Sequence, residues 1–110
     1  MAQWWEGYPW RMIQTNMREI DIVGLDAQRY VENLKSFHAN SVMVSFGGTM
    51  ANYLSKVEDH YVNPNVTHET NLELDKLVRL CHENGIKVIA RTDFSKMHRS
   101  VFEKHPEWAY

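Results

Sequence analysis

Arg91-Thr92-Asp93-Phe94-Ser95-Lys96 places two cations, a carboxylate and two hydroxyls directly behind an apolar run, Ile86-Lys87-Val88-Ile89-Ala90. On an extended chain residues two apart point to the same side, so Arg91 and Asp93 would share a face. Such a pair can grip hydroxyl groups through charge-assisted hydrogen bonds. The competing reading is an ion pair that braces a neighbouring loop, and Lys96 reads as a solvated loop residue. A second polar set, Arg18, Glu19 and Asp21, follows a shorter apolar stretch. Arg18 and Glu19 are ligand candidates there, and Asp21 suits a cap or loop. His60 falls in a long polar stretch and is a candidate hydrogen-bond partner for the same ligand, against a plain surface role.

Metal chemistry is a poor fit. The six histidines, at 38, 60, 68, 82, 98 and 105, show no His-x-x-x-His spacing, and no Cys-x-x-Cys is present. Cys81 and His82 are adjacent on an expected helix, where successive side chains diverge by about 100°. Gly47-Gly48 lacks the further glycines or the Lys-Ser/Thr of a phosphate cradle. It fits a sharp turn or the close approach of a ligand. No cofactor is expected.

Alternating strands and helices must position these residues. Residues 11–16 read as a first strand. Asp26 is the expected N-cap of a helix that carries Tyr30, Leu34 and Phe37 at helical spacing to about Ala39. Ser41-Val42-Met43-Val44-Ser45-Phe46 is a β-branched second strand, ended by Gly47-Gly48. A polar insertion over 49–70 precedes a helix over 71–84, with Leu74, Leu77, Val78 and Cys81 on one face. Glu83-Asn84-Gly85 ends that helix, residues 86–90 form the third strand, and a short helix over 100–103 follows. This order predicts βα units on a parallel sheet, with Arg91, Asp93 and Lys96 at a strand's carboxyl end, where α/β proteins bind ligands. Residues 1–10 form an aromatic leader with Trp4, Trp5, Tyr8 and Trp10. We expect it to pack across the bottom or side of the sheet, the alternative being an aromatic platform for a ligand.

Composition narrows the function classes. The 110 residues amount to one domain at most, with a formal charge of −2 and no basic run, which argues against nucleic acid. No apolar run approaches the roughly 20 residues of a membrane span, and no secretory signal pattern opens the chain. Without such a signal the Asn65-Val66-Thr67 sequon carries little weight. A single cysteine fits a reducing cytoplasm.

Several blocks together resemble the N-terminal part of the catalytic barrel of the hypothetical glycosyl hydrolases, a group related to α-L-fucosidases and to β-galactosidases with a trimerisation domain. They are Gln14-Thr15-Asn16-Met17-Arg18-Glu19, Asn40-Ser41-Val42, Gly47-Gly48 with Tyr53, residues 85–96, and His105-Pro106-Glu107-Trp108. The last two are the most specific. One departure is Leu54 after Tyr53, where related sequences often have proline. The resemblance implies a partial (β/α)8 TIM barrel, about three N-terminal βα units with parallel strands over residues 11–110. It implies a carbohydrate substrate bound at the top face and hydrolysis by two carboxylates. The catalytic carboxylates would then lie beyond residue 110, leaving Arg91, Asp93, Glu19, Arg18 and His60 as carbohydrate contacts. A Glu19–Asp93 catalytic pair is the weaker reading, since the required separation of roughly 5–9.5 Å is not fixed by sequence. The rival from another class is a small non-catalytic α/β binding or assembly module that forms homo-oligomers.

Overall fold

The computed structural model describes residues 3 and 5–109; Trp4 of the leader and the terminal Tyr110 lie outside the described residues. The elements are β1 (Met12–Thr15), α1 (Ala27–Ser36), β2 (Ser41–Gly47), α2 (His68–Glu83), β3 (Lys87–Thr92), α3 (Arg99–Lys104) and a 3₁₀ turn, Pro106–Trp108. The strands form one parallel sheet in the order β1-β2-β3. The class is mixed α/β, as the alternating pattern predicts.

Register explains which side is buried. Ile13, Val42 and Val88 lie in one row across the sheet. Val42 and Val44 are fully buried, and Ile13 and Val88 pack with them against α1 and α2. The helices contribute Ala27, Val31 and Leu34 from α1 and Leu74, Leu77 and Cys81 from α2. Both therefore cover the same face. Alternation puts Met12, Gln14, Met43, Ile89 and Arg91 on the other. Met12 is 45% exposed there. Cys81 is core, and burial pushes its thiol up to about 11.

Local chemistry sets the helix ends. Asp26 caps α1 by accepting from the Arg29 amide, as expected. Phe37 is not part of the apolar stripe: it is the C-cap of α1 and 71% exposed. Val31 takes the buried place instead, four residues after Ala27. The second helix starts three residues earlier than its apolar pattern, at His68. A capping box, Thr67 with Thr70, satisfies the first free amides. Gly85, at φ +69°, closes the helix. Its amide bonds to the His82 carbonyl, and the Ile86 amide bonds to that of Cys81. This paired pattern needs a left-handed residue, and it delivers the buried Ile86 straight into β3.

Residues 8–10 of the leader sit at the amino end of the sheet. Tyr8 donates to the Asn40 carbonyl, while the Asn40 side chain accepts from the Arg11 amide and donates to the Pro9 carbonyl. Asn40 immediately precedes β2, so Tyr8, and Trp10 whose ring meets it edge-on, lie opposite the strand ends that carry the polar residues. That placement favours packing across the bottom over a ligand platform.

Candidate functional site

The carboxyl ends of β2 and β3 open into a cavity of about 570 Å³. Its walls come from the 48–67 segment, through Gly48, Tyr53, Asp59, His60 and Tyr61, and from the chain after β3, through Phe94, Lys96, His98 and Trp108. Ligand pockets of small molecules are usually of this size, mostly apolar, with a few polar groups.

The long polar insertion is an ordered loop. The Ala51 amide bonds to the Tyr61 carbonyl at 2.8 Å, and the Asn63 amide to the Ala51 carbonyl at 2.9 Å. Asn63 is 1% exposed, and its side chain is fully used. It donates to the Glu19 carbonyl and to Asn52 Oδ1, and accepts from the Asn65 amide. Asn52 in turn donates to the Ser45 carbonyl in β2. A buried polar group is tolerated only when its bonds are met. This network satisfies that demand while tying the β1 loop to the β2 loop. The Asn65 side chain is drawn into it, donating to Asn63 and Glu19.

Gly48 joins the two strand ends. At φ +139° it lies so close to Asp93 that an added Cβ would meet the Asp93 carbonyl oxygen at 2.2 Å. The close approach at Gly48 is thus to the Asp93 backbone rather than to a ligand.

Around the cavity the rings are paired. Tyr61 and His98 stack at 3.4 Å, and His105 and Trp108 at 3.8 Å. Trp108 is half exposed and rests on His105. His105 spans two carboxylates, with Nε2 3.1 Å from Asp59 and Nδ1 3.2 Å from Glu107. Lys104 also reaches Asp59, at 3.7 Å. Burial lowers the His105 pKa, but the bonds to Glu107 and Asp59 outweigh it and the net shift is upward. The His-Pro-Glu-Trp motif therefore clamps the 48–67 loop to the end of α3.

The residues singled out in sequence are spread along this rim. His60 lies in the cavity wall, with Nδ1 3.0 Å from Ser55 Oγ. Its Nε2 is buried beside Gly47 and has no hydrogen-bond partner among the described residues. Arg91 is half-buried and donates weakly to Asn16 Oδ1, at 3.5 Å. β3 ends at Thr92, so the strand alternation expected to align Arg91 with Asp93 does not continue through it. The Asp93 carboxylate instead turns back to accept from the Ser95 amide, which, ahead of the weaker pull of Arg91 and Lys96, lowers its pKa. No ion pair joins Arg91 to Asp93 among the described residues. Arg18 is exposed and paired with Asp21 at 2.8 Å, which gives Asp21 its loop role. The Arg18 bonds hold the Asp21 carboxyl below its usual range. Glu19 is exposed, with its carbonyl engaged by Asn63.

Tyr61, Phe94, His98 and the Asp59–His105 contact were not picked out in the sequence as parts of one site. The motif at 105–108 was the available signal, yet its partner lies 46 residues upstream. Among the described residues no group of three or more His, Cys, Asp or Glu side chains is arranged to hold a metal. No helix among them is long and apolar enough to cross a membrane.

Comparison with protein families places this arrangement. The model of the hypothetical glycosyl hydrolase 6 family matches residues 26–110, from the N-cap of α1 through the cavity to Trp108 and beyond. The chain belongs to that family. The match takes in the strand end at 91–96 and the His-Pro-Glu-Trp clamp. It leaves out the first resembling block, residues 14–19. Neither curated proteins nor solved structures yield a match.

Proposed function

We propose that this chain is the N-terminal part of a glycoside-hydrolase barrel and supplies the wall of its carbohydrate site. In this reading the carboxylates that break the glycosidic bond lie on strands beyond residue 110. The relationship to α-L-fucosidases and to trimerisation-domain β-galactosidases belongs to the same proposal. The observation that carries it is the aromatic cavity at the carboxyl ends of β2 and β3, within the segment matched by the family. Tyr53, Phe94 and Trp108 offer faces for the apolar side of a sugar ring. His60, Arg91 and Asp93 stand at the wall and rim as hydrogen-bonding groups, with Glu19 and Arg18 further out on the β1 loop. The consecutive strand order with both helices on one face supports this reading, since a singly wound barrel segment would have that order. The rival, a non-catalytic module that self-associates, draws on the uncovered face bearing Met12, Met43 and Ile89.

Titration of the isotopically labelled protein with a panel of mono- and oligosaccharides tests the first reading. Resonances of Tyr53, His60 and Phe94 should move together in a saturable way, and Phe94→Ala should weaken that response. A panel that moves none of them refutes a carbohydrate role for this cavity.

A further inference from the structure

We propose that the cavity selects an acidic sugar, a hexuronic acid residue whose carboxylate is received by Lys96 and His98. The inference rests on the carbohydrate reading above and names the class of sugar. It follows from which polar groups around the cavity are already engaged. Asp59, the carboxylate in its lining, is held by His105 and Lys104 on the side of α3. It is therefore poorly placed to accept from sugar hydroxyls or to repel an anion. The donors are less committed. Lys96 is exposed and forms no ion pair among the described residues; Asp93 acts on it only at longer range.

His98 supplies the second donor. Its Nδ1 accepts from the Ser100 amide at 3.1 Å, as N-cap of α3. With Nδ1 turned to the Ser100 amide, and to Ser100 Oγ at 2.8 Å, Nε2 is the ring nitrogen placed to donate to a ligand. Stacking on Tyr61 fixes the ring plane. The lining thus couples the Lys96 cation and the His98 donor with aromatic faces at Tyr53, Phe94 and Trp108. A pyranose presents its C–H face to aromatics, and a carboxylate at its edge supplies acceptors for a charge-assisted bond. A single lysine beside an imidazole donor matches a monoanion; a phosphate dianion is better met by clustered arginines or a long helix N-terminus.

The test is a titration of the protein with glucuronate, glucose and glucose 6-phosphate at low salt, followed at cavity resonances. Glucuronate should bind about fivefold more tightly than glucose, the preference shrinking as salt rises. Lys96→Gln should bring the glucuronate-to-glucose ratio close to one, whereas Lys35→Gln, which removes the same charge on α1, should leave the ratio as it was. Equal affinity for glucose and glucuronate overturns the acidic-sugar inference and leaves the carbohydrate reading standing. Tighter binding of the phosphate overturns it in favour of a phosphosugar. Binding of none of the three at these resonances removes the inference, and the wider panel then decides on the carbohydrate reading.

Discussion

The helix-covered face of the sheet and the rim at its carboxyl end are held together by different physics. On the covered face Val42, Val44, Leu74, Leu77 and Cys81 exclude water, and the contribution is apolar burial, which has no direction. At the rim the Asn52–Asn63 network, the Gly48–Asp93 approach and the His105 clamp work through geometry. A core of this kind tolerates small shape changes as long as volume is kept. A directional rim does not, because each lost partner leaves another polar group unmet. The difference suits a protein whose covered face holds the sheet and whose rim shapes a site.

The contrast predicts a graded set of losses. Leu77 is fully buried between α2 and the sheet. Leu77→Ala should cost about 2–5 kcal/mol and lower the whole unfolding transition, read by urea denaturation. A loss under about 1 kcal/mol would mean the covered face is not the core. Asn63→Ala should cost less, about 1–3 kcal/mol, because it strands Asn52 Oδ1 and the Asn65 amide and leaves the Glu19 carbonyl only its longer bond from Asn65. Its distinguishing mark is locality. Amide exchange should accelerate over the 51–65 loop while β2 and α2 stay protected. Uniform acceleration would make the two regions one cooperative unit.

The same division decides what could be read from the sequence. Elements held by apolar periodicity were legible: Asp26 capping α1, the β2 run, the Leu74-Leu77-Cys81 stripe and the Gly85 stop all stand where their patterns put them. Phe37 failed because spacing alone cannot separate the last helical turn from the residue that ends it. The start of α2 was hidden because Thr70 takes the place that Glu or Gln usually fills in a capping box. The rim was legible only in pieces. The strand end at 91–96 and the His-Pro-Glu-Trp motif were visible as polar clusters. Their pairing with Gly48 and Asp59 depends on chain contacts more than 40 residues apart, for which a local pattern carries no signal.

The smallest expected effect is the most specific to the rim. His105 is raised above its usual 6.5 by Glu107 and Asp59, against the opposing effect of burial. A base that gains affinity for its proton on folding stabilises the fold most where it is protonated in both states. The clamp is therefore at full strength below pH 6.5, and it weakens as pH rises through the higher folded value. Because the imidazole and both carboxylates are partly solvated, screening keeps the effect below that of either substitution above. Following the His105 ring signals by NMR should give a midpoint above 6.5, accompanied by shifts at Asp59 and Trp108 but none at Leu77 or Val44. His105→Gln should remove the pH response that His105 imposes on the neighbouring Trp108 signals. If the covered face titrated in step with the rim, the clamp would be coupled to the core, and the separation of the two regions would fail.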